Sequence, residues 1–282
     1  MPEGDSIFRA ARTLHRALAG HPVTRFESVF PQLTRVHDDE PITGRIVERV
    51  ESRGKHLLMH FSRDLILRTH LRMNGSWHIY RPGERWQRPR GDMRIVIGTD
   101  AYVAVAFNLQ VAEFETSRTI ERDDSLGRLG PDLLSGTFDI TAALARLRAR
   151  NADPIGETLL DQRVMAGIGN IFKSETLFLT KVNPFVSVAS LSDERLRALV
   201  ETARKLLAAN VTASSGHGIT TRRTLRASSP RAGPSDRVWV YGRRGEPCHT
   251  CGTPIASRKV GLDARSTYWC PRCQPDERVN DR

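Results

Sequence analysis

The sequence predicts an α+β protein with a β-rich first part, a helical second part and a small metal-binding hairpin. Short apolar runs, separated by Gly, Asp and Pro, fill residues 23–116. Amphipathic helical segments follow at 140–150 and 192–211, and all four cysteines lie near the end of the chain. A change from strand-like to helix-like patterns along a chain is typical of structurally separate regions.

Residues 6–19 predict a helix that ends at Gly20. Its apolar residues recur at helical spacing, at Ile7, Ala11, Leu14 and Leu18. From 23 to 116 the short strands follow one another with no helix between them. Consecutive strands of this kind predict an antiparallel sandwich or barrel.

The second half of the chain predicts helices joined by polar turns. The segment 192–211 begins with Ser192 as an N-cap residue. Residues 157–182 predict a helix, a glycine-rich turn and a second helix. Residues 214–237 are rich in Ser, Gly, Pro and Arg, which is typical of an exposed basic loop.

The cysteines form two C-x-x-C pairs, CHTC and CPRC, with 18 residues between them (270 − 251 − 1). This spacing predicts a four-thiolate zinc site formed by Cys248, Cys251, Cys270 and Cys273. Two disulfides are the alternative, but thiols in the cytosol are kept reduced. Four thiolates complete the coordination of zinc, so the ion is expected to be structural.

The charge of the chain indicates a polyanionic partner. Forty-three Lys and Arg against 32 Asp and Glu give a net charge of +11, and nucleic acid is the usual partner of such an excess. The alternative is an arginine-rich composition inherited from a GC-rich genome. No apolar run approaches the roughly 20 residues of a membrane span, so we expect no membrane partner and a cytoplasmic location.

The sequence AGIGN at 166–170 predicts an anion-binding turn at the start of a helix. Gly167 and Gly169 allow a ligand to approach the backbone closely, and Asn170 can cap the helix and donate its amide to a phosphate. The alternative is a plain helical hairpin whose turn requires glycine.

The N-terminus MPEGD has a possible nucleophile. If Met1 is removed, Pro2 exposes a secondary amine with a pKa near 8, and Glu3 beside it could transfer protons. The iminium that this amine would form is an electron sink for elimination. The alternative is a frayed terminus. Lys55, after a glycine at the start of a strand, could reach a phosphate or could face solvent.

These features occur together in an order that resembles the formamidopyrimidine-DNA glycosylase and endonuclease VIII family, along nearly the whole chain. The motifs that carry the resemblance are PEGD at 2–5, SRGKHLL at 52–58, MNGSW at 73–77, RLGPDLL at 128–134, LLDQRVMAGIGNIFKSETLF at 159–178, GRRGEPCHTCGTPI at 242–255 and RSTYWCPRCQ at 265–274. Each motif is short, but their combination is specific.

The resemblance implies a β-sandwich with a flanking helix, a helix–two-turn–helix domain and a zinc finger with four cysteine ligands. It implies domains at 1–137, 138–228 and 237–274, with damaged DNA bound by a monomer associated with the nucleoid. Pro2 would be the Schiff-base nucleophile and Glu3 would assist opening of the sugar ring.

The resemblance also implies roles for further residues. Lys55 would contact phosphate and aid catalysis, while Asn170 and Arg265 would grip the backbone around the flipped nucleotide. Asp161 and Glu175 match acidic positions in the helical domain, where they could support catalysis or only cap and pair within helices.

The branch of the family is indicated by the terminus and by a candidate wedge. PEGD resembles the endonuclease VIII side, and residues 100–115 contain no match to the DPRRFG motif of the purine-specific branch. Met73, flanked by Arg72 and Asn74, would fill the gap left by the flipped base. We therefore expect removal of oxidised pyrimidines followed by β,δ-elimination. The rival interpretations are a non-catalytic damage sensor and an RNA-binding zinc protein.

Overall fold

The computed structural model describes residues 2–212, 219–222, 233–261 and 264–276 of the 282-residue chain. Met1 and most of the loop predicted over 214–237 lie outside the described residues, so the predictions about them stay predictions. The chain divides into an N-terminal unit, Met1–Arg128, and a C-terminal unit, Leu129–Arg282.

The N-terminal unit contains two four-stranded antiparallel sheets. Its strands are β1 (Arg25–Ser28), β2 (Val47–Arg53), β3 (His56–Phe61), β4 (Leu65–His70), β5 (Ser76–Tyr80), β6 (Met93–Gly98), β7 (Val103–Phe107) and β8 (Val111–Glu115). One sheet has the order β2–β3–β4–β8 and the other the order β1–β6–β7–β5. Leu57 and Met59 of the first sheet and Ile95 and Ile97 of the second belong to one apolar core. This arrangement confirms the antiparallel sandwich.

The helices of this unit are α1 (Gly4–Leu18), α2 (Pro31–Asp39), α3 (Ser117–Arg122) and α4 (Asp124–Gly127). α1 is the predicted first helix, and its apolar stripe is buried mainly against β2 and β3. The expectation that no helix interrupts the strands is wrong at α2. Proline at its first position favours a helix start, but only Leu33 is fully buried, so its apolar periodicity is weak.

The C-terminal unit is helical and ends in a β-hairpin. Its helices are α5 (Ile140–Arg148), α6 (Ile155–Thr158), α7 (Asn170–Leu179) and α8 (Asp193–Thr212), and its strands are β9 (Ala256–Val260) and β10 (Arg265–Trp269). Ser192 caps α8 as predicted, because its Oγ accepts a hydrogen bond from the N–H of Arg195 at 3.3 Å. Phe172, Leu147 and Leu199 belong to the apolar core of this unit.

The segment before α7 differs from the first of the two helices predicted over 157–182. α6 has only four residues, and side chains then hold the chain in turns up to the start of α7. The side chain of Gln162 accepts a hydrogen bond from the N–H of Gly167 at 3.1 Å and donates one to the carbonyl of Ile168 at 2.9 Å. Side-chain bonds to the backbone compete with helix formation, which apolar spacing alone cannot reveal.

Candidate active site

The N-terminal residues lie against their unit and do not extend into solvent. Pro2 is half-buried and the side chain of Glu3 is fully buried. The N–H of Glu3 donates a hydrogen bond to Ser6 Oγ at 2.9 Å, and its carbonyl accepts one from the N–H of Ser6 at 3.1 Å. The backbone of Glu3, next to the expected nucleophile Pro2, is therefore held by the first turn of α1.

Asp5 is a second buried carboxylate at this terminus, to which the sequence analysis assigned no role. Its Oδ2 accepts a hydrogen bond from Arg9 at 3.2 Å, while its buried Oδ1 has no hydrogen-bond partner among the described residues. Burial raises the pKa of Asp5, and the charge of Arg9 only partly opposes this effect. The PEGD motif contains Asp5, but only the fold reveals its burial.

Lys55 lies in the turn between β2 and β3, next to two histidines. It is half-buried, and it follows Gly54, whose φ of +60° suits glycine in a tight turn. His56 pairs with His70 across β3 and β4, and the centroids of the two rings are 5.0 Å apart. The structure thus brings two histidines, which the sequence analysis missed, close to the predicted lysine.

Both histidines are neutral at pH 7. Burial, together with the charges of Arg72 and Lys55, lowers the pKa of His70 to about 4. Burial and the neighbouring His70 lower the pKa of His56 to about 3. His70 Nδ1 accepts a hydrogen bond from the N–H of Arg72 at 3.0 Å, so the proton of its ring is on Nε2.

The turn between β4 and β5, residues 71–75, presents Met73 to solvent. Met73 is 61% exposed, whereas Leu71 at the start of the turn is buried. The N–H of Gly75 donates to the carbonyl of Leu71 at 2.8 Å, and a Cβ on Gly75 would lie 2.5 Å from that oxygen. Arg72 adopts a φ of +50°. A tight turn with an apolar tip is the geometry that a wedge requires. We name residues 71–75 the wedge turn.

Asn170 and Arg265 both lie where α7 meets β10 in the C-terminal unit. Asn170 is the first residue of α7 and Gly169 occupies the N-cap position, so the expectation that Asn170 caps the helix is wrong. Its side chain instead donates a hydrogen bond to the carbonyl of Ser266 at 2.8 Å. Its buried Oδ1 has no hydrogen-bond partner among the described residues. Arg265 begins β10 and lines a groove of about 690 Å³.

The two acidic residues of this unit make different contacts. Asp161 lines the same groove, but it accepts hydrogen bonds from the side chain of Arg150 at 2.6 Å and from the N–H of Arg163 at 2.9 Å. Glu175 is fully buried. Its carboxylate accepts bonds from the N–H groups of residues 239–241, at 2.7 to 2.9 Å, and from the hydroxyl of Thr221. Both carboxylates therefore hold backbone in place.

The four cysteines fit a zinc ion. All are free thiols, and their Sγ atoms lie within 4.8 Å of one another. Cys251 and Cys270 are 3.4 Å apart and Cys248 and Cys273 are 3.9 Å apart. Tetrahedral coordination with Zn–S bonds of about 2.3 Å requires sulfurs about 3.8 Å apart. One structural zinc ion would join the two C-x-x-C turns and so support the β9–β10 hairpin.

Comparisons with known proteins identify the family. The formamidopyrimidine-DNA glycosylase N-terminal domain matches residues 1–116, its H2TH domain matches residues 129–223, and a zinc finger found in FPG and IleRS matches residues 245–275. A probable endonuclease 8 2 of Streptomyces coelicolor is 42% identical over 277 residues, which cover 97% of this chain and 94% of the relative. The chain belongs to the formamidopyrimidine-DNA glycosylase and endonuclease 8 family.

Other relatives place it on the endonuclease 8 branch of that family. Endonuclease 8 2 of Mycobacterium tuberculosis is 38% identical and is covered completely, with 97% of this chain aligned. A protein of Mycolicibacterium smegmatis named DNA-(apurinic or apyrimidinic site) lyase Nei2 is 37% identical, over 97% of this chain and 99% of its own length.

A solved structure of the family has the same fold. The formamidopyrimidine-DNA glycosylase of Lactococcus lactis, bound non-covalently to DNA containing an abasic site, aligns with a TM-score of 0.80. The alignment covers 98% of this chain and all of that chain, at 21% identity. This confirms the predicted fold class of a sandwich, a helix–two-turn–helix domain and a zinc finger.

Two further predictions from the sequence can be compared with the family and the structure. The zinc-finger match and the clustered Sγ atoms confirm the expected zinc site. Within the described part of the chain, no helix is both long and apolar enough to cross a membrane.

Proposed function

We propose that this member of the family is a DNA glycosylase and abasic-site lyase of base excision repair. The observation that carries the proposal is the pairing of half-buried Pro2 with the fully buried carboxylate of Glu3 at the N-terminus. The abasic-site lyase name of the Mycolicibacterium smegmatis relative supports it. The abasic DNA held by the Lactococcus lactis protein indicates a similar ligand.

The chemistry depends on Met1 being removed, so that Pro2 has a free secondary amine. Attack of its nitrogen on C1′ of the deoxyribose displaces the base, which takes the electron pair of the glycosidic bond and is then protonated, while the nitrogen of Pro2 loses its own proton. Glu3 assists ring opening by transferring a proton to O4′. The resulting iminium accepts electrons when C2′ loses a proton, and the 3′ phosphate leaves. Loss of a second proton, from C4′, then expels the 5′ phosphate.

The remaining site residues serve binding in this proposal. Lys55 contacts a phosphate of the damaged strand, and Asn170 and Arg265 grip the backbone on either side of the extruded nucleotide. Met73 fills the gap in the base stack. The support for these roles is the exposure of Met73, the place of Asn170 at the N-terminus of α7 and the place of Arg265 at a groove.

The finer assignments belong to the same proposal. We propose oxidised pyrimidines as substrates, since the turn that follows β7 is Asn-Leu-Gln at 108–110 and lacks the motif of the purine branch. The protein would act as a monomer in the cytoplasm, at the nucleoid. Its domains would span 1–137, 138–228 and 237–274.

Borohydride trapping tests the chemistry. The mature, zinc-loaded protein is incubated with DNA containing an abasic site or an oxidised pyrimidine, and borohydride is added to reduce any iminium. We expect a covalent product that peptide mapping assigns to Pro2. The product should be lost in Pro2→Gly and in protein that retains Met1.

Arg12→Gln is a matched control, because Arg12 is exposed on α1 and should not alter trapping. Folded protein that binds the damaged DNA yet gives no adduct would overturn the catalytic proposal and favour the damage sensor. If excess RNA displaces the damaged duplex from the protein, the interpretation as an RNA-binding zinc protein is favoured.

A further inference from the structure

The connection between β5 and β6, residues 81–92, is a basic surface loop that the proposed function does not use. It carries four exposed arginines, Arg81, Arg85, Arg88 and Arg90, against two acidic residues, Glu84 and Asp92. None of the four guanidinium groups forms an ion pair with another described residue, and Arg90 lies over the ring of Trp86, 5.6 Å from its centroid. We name residues 81–92 the arginine loop.

Hydrogen bonds hold the backbone of the arginine loop in one conformation. The N–H of Arg81 donates to the carboxylate of Glu84 at 2.8 Å, and the N–H of Gln87 donates to the hydroxyl of Tyr80 at 3.1 Å. The carbonyl of Asp92 accepts from the N–H of Asn108 at 2.8 Å. Such a loop presents its arginines from fixed positions, which lowers the entropy lost when they bind a ligand.

The arginine loop lies beside the wedge turn. A groove of about 590 Å³ is lined by Met73 and Asn74 of the wedge turn, by Arg88 of the arginine loop and by Arg94 of β6. Arg88 is close enough to His78 of β5 to add to the effect of burial in lowering the pKa of that histidine. The groove therefore begins at the exposed tip of the wedge turn and continues toward unpaired positive charge.

The topology separates the arginine loop from the catalytic side of the sandwich. His56 and His70 belong to the sheet β2–β3–β4–β8 and Lys55 lies in its β2–β3 turn, whereas the arginine loop joins two strands of the other sheet. The wedge turn is the crossover from β4 in one sheet to β5 in the other. Met73 thus stands between the side with Lys55 and the side with the arginine loop.

We propose that the arginine loop is a further DNA-binding surface, which contacts phosphates of the strand opposite the lesion. This inference rests on the proposed function. A wedge replaces the extruded nucleotide of the damaged strand, which leaves toward the catalytic residues, so the opposite strand lies on the other side of the wedge. Arginine is well suited to this contact because its planar guanidinium can bind phosphate through two hydrogen bonds.

The test compares two double variants that remove the same charge. Arg85→Gln with Arg88→Gln alters the arginine loop, and Arg16→Gln with Arg35→Gln alters exposed arginines on α1 and α2. Dissociation constants are measured between 50 and 200 mM salt, for a duplex with a tetrahydrofuran abasic analogue and for its damaged strand alone. Each lost phosphate contact lowers the slope of log K against log salt by about 0.9 for duplex DNA.

We expect the arginine-loop variant to lower the duplex slope by about 2. The control variant should have the same duplex slope as the wild type. On the damaged single strand, the wild type and both variants should have the same slope. An unchanged duplex slope in the arginine-loop variant would overturn the proposal. An equal decrease of the duplex slope in the control variant would also overturn the proposal, since it would reveal a general effect of charge. If the slope of the arginine-loop variant decreases equally on the damaged single strand, the loop does not contact the opposite strand.

Borohydride trapping of the wild type on duplex DNA with a natural abasic site separates this proposal from the proposed function. If the wild type is trapped and the arginine-loop variant keeps the duplex slope of the wild type, the arginine-loop proposal is wrong and the catalytic proposal stands. A lack of trapping would sink the catalytic proposal, whatever the slopes are.

Discussion

At the scale of single residues, the most informative feature is a carboxylate in a buried position. Glu3 is completely shielded from solvent, although burying a charge is unfavourable unless polar partners compensate. In the proposed mechanism this carboxylate lies beside the amine of Pro2, where it transfers a proton during opening of the sugar ring. Glu3 and Pro2 would then act in different steps.

Glu3→Gln should separate those steps. The amide keeps the shape of the side chain but cannot transfer a proton, so release of an oxidised pyrimidine should fall by about 10² or more. An abasic site already opens to an aldehyde, so trapping on abasic DNA should stay within severalfold of the wild type. The measurement is single-turnover base release beside borohydride trapping. Equal loss of both activities would contradict the division of roles.

His70 is a positioning residue for the wedge turn in our interpretation. Its neutral ring accepts the hydrogen bond from the N–H of Arg72, and this bond supports the positive φ of that residue. Asparagine can accept the same bond from the residue two positions later, whereas leucine cannot. Comparing His70→Asn with His70→Leu therefore distinguishes the contribution of the hydrogen bond from that of the volume of the ring.

His70→Leu should slow insertion of the wedge about fivefold, the equivalent of one net hydrogen bond of about 1 kcal/mol. His70→Asn should recover most of that loss. Fluorescence of 2-aminopurine opposite the lesion follows the insertion, and affinity for undamaged duplex should be the same in both variants. If asparagine and leucine slow insertion equally, the hydrogen bond does not position the turn.

At the scale of elements, the zinc hairpin is attached to the helical core through several buried polar contacts. Glu175 of α7 binds the backbone at 239–241, and Asn170 and Lys173 of α7 bind Ser266 and Thr267 of β10. The side chains that would touch DNA from α7 and β10 therefore depend on the hairpin keeping its shape. The metal is the part of this assembly that can be removed and restored.

Removing zinc with a chelator should release the hairpin and weaken binding of the abasic-analogue duplex by at least tenfold. Amide hydrogen exchange should become fast in β9 and β10 but remain slow in α1, which belongs to the other unit. Cys248→Ser should behave like the chelated protein. Adding zinc back to the wild type is the control. Retained affinity and protection after complete zinc removal would show that the ion does not support the interface.

At the scale of the whole molecule, the net charge of +11 governs encounters with DNA of any sequence. Binding of undamaged duplex should be largely electrostatic, since phosphate contacts release counterions. We expect log K to fall linearly with log salt, and the loss between 50 and 200 mM should exceed tenfold. The same titration with RNA is the comparison. A salt-independent affinity for undamaged duplex would mean that the charge serves another purpose.

Much of the molecule was predictable because its signals are local. The apolar spacing of residues 6–19 predicted α1, and the short apolar runs within 23–116 predicted the strands of the sandwich. α2 was missed because only one of its residues is fully buried. The segment after α6 was mistaken for helix because the side chain of Gln162 bonds to the backbone of Gly167 and Ile168, which apolar spacing does not reveal.

The sequence by itself determined the fold class, the zinc ligands and the family, because apolar periodicity, cysteine spacing and motif order depend only on which residues occur and at what spacing along the chain. Only the tertiary structure decided which polar groups are buried. It brought His56 against His70 and aimed the carboxylate of Glu175 at a backbone segment more than sixty residues away. Solvent exclusion and contact across strands depend on all the surrounding elements at once, so no local pattern in the chain could have revealed them.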